Sequence, residues 1–329
     1  MASQRLDMAG ACRRAREHAA VIESQRRLLS DRLRNQAYAE AIRRAVQPKK
    51  TRVADLGTGS GFLAILCERA GARSVWGCDG DAGVIKLARQ TVKDNGATRI
   101  RLIHGHSTQL APPEPVELVV SEILGHFAGE EHLIESLVDA RRWLAPGGRM
   151  IPAAVEQFLC PVTGATVQRG IDVFSDHQGV DLAAARAIAL HNGYVRTLDP
   201  AELLDGGRAG QMIDRMVFPG DEPSRRHGKA AWTLPGGPVH GLCLWWDAEL
   251  WDGIHLSTSP LQPSTHWEQI YLPLQQPLQA KAGDRLEAEV RFDTRWDSGC
   301  AVQWTGKLLR GGKAVAAFSG DNRIGALCP

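Results

Sequence analysis

The stretch VADLGTGSGF at residues 53–62 decides the fold. A short apolar run leads into Gly57, Gly59 and Gly61, and FLAILCERA (62–70) continues as a helix-forming segment. A strand that turns on glycines into a helix exposes bare backbone, which a ligand can approach because no Cβ stands in the way. Outward from this turn the chain alternates: strand 51–56, helix 62–70, strand 74–79, helix 82–94, strand 99–104, strand 116–121, helix 130–144 and strand 149–159. Within 130–144, Leu133, Ile134, Leu137, Val138 and Leu144 share one helical face. Short apolar strands alternating with helices predict a parallel sheet covered on both sides.

On the N-terminal side, residues 12–46 contain no Pro or Gly and are expected to be helical, with Ser30-Asp31 placed to cap a second segment and Pro48 to end it. Beyond Ile151-Pro152 the pattern changes. Residues 171–205 are mixed and helix-prone, and short strands punctuated by Gly, Pro and Asp follow to the end. Seven of the nine tryptophans lie beyond residue 230, where they are expected to fill the core of a β-barrel or sandwich.

A chain of 329 residues with 43% hydrophobic and 23% charged residues is long enough for two packed domains. It shows no secretory leader and no apolar run that would span a bilayer, so a cytoplasmic location is expected, with no membrane partner. Seven cysteines are scattered without a CxxC or Cys/His cluster, which supports neither a zinc site nor a disulfide framework; no metal is expected. The net charge of +2 gives no reason to expect nucleic acid. Ten arginines against five acids between Arg5 and Arg44 read as a solvated helix face.

The glycine turn narrows the ligand. The dinucleotide pattern GxGxxG requires a small residue where Phe62 stands, which disfavours NAD or FAD and fits the GxGxG of methyltransferases that use S-adenosylmethionine. Asp55, at the strand end, suits the cationic amino group of the methionine moiety; otherwise it is a turn cap. SVWGCD (74–79) delivers Asp79 about twenty residues after the glycine turn, the place of a ribose-binding carboxylate, although a lone strand-end Asp is more often a cap. In HGHST (104–108), Ser107 is a candidate for the adenine edge.

After the fourth strand, SEILGHFAGEEHLIE (121–135) carries Glu122 and Glu131. Two carboxylates beside the cofactor suit a planar cation with several donors, and hence a guanidinium. By itself the loop also reads as solvent-exposed, with Glu130-Glu131 favouring the start of the next helix. An Asn/Asp-Pro-Pro-aromatic turn, usual in enzymes that methylate nucleic-acid bases, is replaced here by Ser121-Glu122-Ile123-Leu124.

These segments together resemble the protein arginine methyltransferase family. Glu122 and Glu131 match its double-glutamate loop, Ser264-Thr265-His266-Trp267 its Thr-His-Trp loop, LLSDRLRNQAY (28–38) its cofactor-covering helix and LDPAELL (198–204) the end of its dimerisation arm. The resemblance runs from about residue 28 to 310 and implies an α/β Rossmann-like methyltransferase domain followed by a β-barrel domain with an inserted helical dimerisation arm. Its implied divisions are N-terminal helices over 1–49, the cofactor domain over 50–151, and the barrel over 152–329 with the arm at about 165–207. It also implies a homodimer. Arg34 would pair with the cofactor carboxylate and Asp31 would meet His266. Glu122, Glu131, His266 and Asp31 would be the catalytic set, Glu122 also lying beside the cofactor, and Glu122, Glu131, His266 and Trp267 would hold the substrate. Bacterial relatives that methylate free L-arginine in nitrosourea antibiotic biosynthesis look similar in layout, which implies Nω-methyl-L-arginine as product, with arginine in a peptide as the alternative. RNQAYAEAIRRAV (34–46) is closest to members that stop at one methyl group. Two departures stand out: RAREHAAVIESQ (14–25) lacks the paired aromatics of many members, and Leu28 and Leu133 stand where methionines are frequent.

Overall fold

The computed structural model describes residues 22–110, 114–175, 178–296 and 299–325. The expected helical stretch 12–21, Cys12, Cys328 and Pro112-Pro113 lie outside them. The chain forms two compact units. One comprises Met1–Glu122, Asp139–Ala153 and Glu249–Leu256, the other Ile123–Val138, Ala154–Ala248 and Ser257–Pro329.

In the first unit, helical residues 22–30 (α1) stop at Asp31, whose carboxylate accepts from Arg34 N and caps α2, Arg32–Ala45. There follow β1 (Arg52–Leu56), α3 (Phe62–Arg69), β2 (Ser74–Asp79), α4 (Ala82–Asp94), β3 (Ile100–His104) and β4 (Val116–Ser121). Then come α5 (Leu133–Ala140) and β5 (Leu144–Ile151). The strands pair in parallel in the order β3-β2-β1-β4-β5. Order reverses between β1 and β4, and at such a switch point the carboxyl ends of the strands leave a crevice for a ligand. Val53, Ala54, Val75, Leu118, Val119 and Val120 are buried, as a sheet covered on both faces requires.

Two expectations change in detail. The helix over 130–144 is α5 with a 3-10 turn on either side, Glu130–His132 and Arg141–Trp143. The strand over 149–159 divides into β5 and β6 (Ala154–Val162), because Pro152 has no N–H to continue a ladder.

The second unit carries β6, α6 (Thr166–Ile171), α7 (Ala183–Ala189), β7 (Tyr194–Arg196), β8 (Gln211–Val217), β9 (Arg225–Thr233), β10 (Gly237–Trp251) and β11 (Ile254–Ser257). It closes with β12 (Gln269–Ala280), β13 (Arg285–Trp296), β14 (Gly299–Arg310), β15 (Lys313–Asp321) and α8 (Asn322–Gly325). The tip of the β10–β11 hairpin belongs to the first unit. One antiparallel sheet runs β7-β12-β10-β6-β8 with β11 on β10, the other β15-β14-β13-β9. They meet along β8 with β9 and β12 with β15, so the two sheets wrap one core in the manner of a flattened barrel. Trp232, Trp245, Trp246, Trp267 and Trp304 are buried as expected, while Trp251 lies under the Arg149 guanidinium, 3.6 Å from its ring centre. Residues of the 165–207 segment join this core through Ile171, Leu190, Leu198, Leu203 and Leu204.

Candidate active site

The cofactor half is built at the carboxyl ends of β1, β2 and β4. Gly59 and Gly61 have φ of 54° and 82°, a region closed to most side chains, and Gly61 is the N-cap of α3. Gln25 of α1 reaches over this turn: its Oε1 accepts from Ser60 N at 3.1 Å, and a Cβ on Gly59 would meet its amide at 3.2 Å. Asp79 binds the same turn, accepting from Gly59 N and from Asp81 N, each at 3.0 Å. The cap and the cofactor roles considered for Asp79 are therefore compatible, since its carboxylate already stands at the glycine loop.

Asp55 is fully buried at the end of β1. Thr58 Oγ1 donates to its Oδ2 at 2.6 Å, while Oδ1 is buried with no partner of hydrogen-bond geometry among the described residues. Burial pushes its carboxyl up to about 7, and the nearby Asp79 charge adds to the rise. A buried acceptor beside a glycine turn fits the cationic amino group of S-adenosylmethionine, which would supply the missing donor. Ser107 is buried just beyond β3, with its carbonyl accepting from Arg142 Nη2 at 2.9 Å.

Glu122 follows β4 directly. The Arg34 guanidinium grips it, with Nε donating to Oε2 at 2.7 Å and Nη2 closer still, and both side chains are nearly inaccessible. Arg34 was expected to serve the cofactor and Glu122 both cofactor and substrate; the structure pairs them with each other. The cause is electrostatic, since a lone buried carboxylate or guanidinium would cost several kcal/mol, and removing one partner of such a pair costs about 3–5 kcal/mol. Tyr38, one turn after Arg34, donates to Ser121 O at 3.1 Å and fixes α2 to the end of β4. Ser121 Oγ in turn donates to Leu56 O at 2.8 Å, tying β4 to β1.

Of the residues expected to hold the acceptor, Glu122 lies in the first unit and Glu131, His266 and Trp267 in the second. Trp267 was expected among the substrate contacts. It is instead buried behind the acceptor loop, its indole N–H donating to Leu124 O at 2.6 Å. Trp246 packs edge-on against it, with ring centres 5.0 Å apart, and donates to Gly125 O at 3.0 Å. The His126 Nδ1 to Trp267 O distance is 2.6 Å; a carbonyl only accepts, so that nitrogen carries the proton. His266 is half-buried, with its ring centre 3.9 Å from that of Trp267. The Thr-His-Trp loop thus supports residues 124–126 from behind while His266 stays partly open.

Glu131 is exposed, at φ 56° and ψ 23°, and His132 also has φ 56°. Two successive side-chain-bearing residues in the left-handed region cost about 1–3 kcal/mol each. Asp31 and His266 lie in different units. Sequence reasoning passed over Gln25, Tyr38 and Trp246. The helical spacing of Tyr38 from Arg34 was an available signal, whereas Gln25 and Trp246 act through contacts distant in the chain.

A model of the methyltransferase domain matches residues 53–148, and one of the arginine methyltransferase oligomerization subdomain matches residues 156–299. Protein arginine N-methyltransferase 6 of Xenopus laevis is 28% identical over 278 residues, spanning 80% of this chain and 81% of the frog protein. The chain is similar to protein arginine methyltransferases over most of its length. It is an arginine N-methyltransferase that uses S-adenosylmethionine. The histone-arginine methyltransferase CARMER of Anopheles gambiae is 27% identical over 82% of this chain and 46% of its own length. Among solved structures, the Trypanosoma brucei PRMT1 enzyme-prozyme heterotetrameric complex with AdoHcy shares the fold with a TM-score of 0.80 at 24% identity, covering 90% of this chain and 96% of that one. Arabidopsis thaliana protein arginine methyltransferase 10, in an open conformation, does so with a TM-score of 0.75 at 23% identity, covering 91% and 97%. In this arginine methyltransferase the second family model begins within β6 and ends at Gly299, the first residue of β14.

Proposed function

We propose that this arginine methyltransferase acts on the terminal guanidino nitrogen of arginine, with Glu122 and Glu131 as the two carboxylates that hold the guanidinium. The observation that carries the reading is Glu122, a buried carboxylate at the cofactor strand ends that already binds a guanidinium, that of Arg34. When bound, S-adenosylmethionine supplies an electrophilic sulfonium methyl group. Asp55, Asp79, Ser107 and the turn Gly57-Gly59-Gly61 hold the cofactor, with Gln25 covering the turn. A free guanidinium is a poor nucleophile because its lone pairs are delocalised and its pKa exceeds about 12. Carboxylates on two of its nitrogens draw positive charge toward themselves, leaving the third more electron-rich and fixed in direction. Positive charge concentrates on the guanidinium as the methyl group arrives, so the carboxylates bind the transition state more strongly than the ground state. Glu131 or His266 takes the departing proton.

The acceptor is arginine within a polypeptide, as the names of the frog and mosquito relatives suggest. A second reading, methylation of free L-arginine to Nω-methyl-L-arginine in bacterial secondary metabolism, is favoured by the net charge of +2, which offers no acidic excess to attract basic protein tails. The protein works as a homodimer in the cytoplasm, with the segment at about 165–207 as its arm. Incubation with methyl-labelled S-adenosylmethionine and either free L-arginine or an arginine-rich histone-tail peptide tests the proposal. Labelled methylarginine in the peptide hydrolysate supports the first acceptor and labelled free methylarginine the second. Label in neither overturns arginine methylation by this chain.

A further inference from the structure

Glu131 and His132 are held at positive φ, and such a conformation persists only where surrounding contacts impose it. Strand β13 supplies those contacts. Gly129, two residues before Glu131, lies so close to Thr294 that a Cβ there would stand 2.6 Å from Thr294 Cγ2. Thr294 is fully buried, and its backbone N–H donates to Ser224 O at 3.2 Å, which fixes it to the sheet. Its hydroxyl donates to Glu135 Oε1 at 2.6 Å, in the first turn of α5, and Glu135 Oε2 is buried with no hydrogen-bond partner among the described residues. Phe127 packs edge-on against Phe292 of the same strand, with ring centres 4.6 Å apart. The strained turn is therefore gripped on both sides, before it at Gly129 and after it at Glu135, by one threonine.

We propose that Thr294 and Glu135 are positioning residues that hold the acceptor carboxylate Glu131 in its strained orientation. The inference rests on the reading of Glu131 as a guanidinium ligand. Without the Thr294 hydroxyl, the buried Glu135 carboxylate loses its donor, α5 loosens from β13, and residues 131–132 relax toward an unstrained backbone that aims Glu131 elsewhere.

The test compares wild type, T294S, T294V and T294V/H132G, reading kcat and KM for the arginine acceptor, cofactor affinity by calorimetry, and melting temperature. T294V is expected to bind S-adenosylmethionine within about twofold of wild type, with kcat/KM for the acceptor about 10- to 100-fold lower, as misplacement of a catalytic group by about 1 Å would give. T294S keeps the donor and stays within about threefold. Adding H132G to T294V restores most of the loss, because glycine takes the left-handed conformation without a clamp; a merely structural role for Thr294 predicts no such rescue. If T294V does not fold, E135A with and without H132G asks the same question. Wild-type kcat/KM in the clamp variant, or a loss that H132G leaves untouched, overturns the inference. A wild-type protein inactive on every arginine acceptor overturns the underlying function instead.

Discussion

The proposed cofactor residues and the proposed acceptor residues are held in opposite ways. In the first, Asp55, Asp79 and Glu122 stand at or just past the ends of β1, β2 and β4, and parallel pairing sets their spacing. In the second, Glu131 and His266 ride on loops braced from below by Trp246, Trp267 and Thr294. A site on strand ends tolerates change around it because the ladder holds each residue. A site on loops is only as well placed as its braces.

Substitutions can sharpen or break this contrast. The largest effect is expected from E122Q, which weakens the charge at both the acceptor and Arg34: kcat should fall about 10³-fold, and calorimetry should show cofactor affinity reduced as well because Arg34 loses its partner. Next, W267F removes the donor to Leu124 O. It should lower kcat/KM for arginine by about 10-fold or more while leaving cofactor affinity unchanged; equal losses in both would erase the distinction between the two sets.

A smaller effect comes from pH, through Asp55. With its folded pKa raised from 3.8 to about 7, Asp55 favours the protonated fold, so its contribution to stability is present below the ordinary value and is lost as pH rises to about 7. That loss is on the order of 4 kcal/mol. The cofactor ammonium favours the ionised form, so affinity should rise with pH up to about 7, with proton release seen as a buffer-dependent binding heat. D55N should flatten both dependences. The smallest effect belongs to Q25A, which frees Ser60 N and should weaken cofactor binding by about three- to tenfold in the same titration.

The same contrast explains what could be read in the chain. The run from Val53 to Phe62, Asp79 after β2 and Glu122 after β4 follow from local pattern, because each strand and its following turn are contiguous. Glu131 could be singled out from its own loop only as one of two carboxylates that equally suit a solvent-exposed turn, His266 only through family resemblance, and their braces not at all. Nothing near Thr294 in sequence mentions Gly129 or Glu135, and Trp246 is one of several tryptophans that pattern alone assigns to packing. The Arg34–Glu122 pair was hidden for the same reason: both residues were recognised, but their sequence separation concealed that each is the other's partner. The division of β5 from β6 at Pro152 shows the reverse case, a local signal outweighed by the apolar run around it.

Glu122 and Glu131 are proposed to bind the same guanidinium. Calorimetric titration of the arginine acceptor into S-adenosylhomocysteine-loaded wild type, E122Q, E131Q and the double variant tests it most directly. Each single variant should lose about tenfold or more in affinity, and the double should lose less than the two losses combined, because the groups act on the same ligand. Unchanged affinity in E131Q, or strictly additive losses, would show that the two carboxylates do not share a guanidinium.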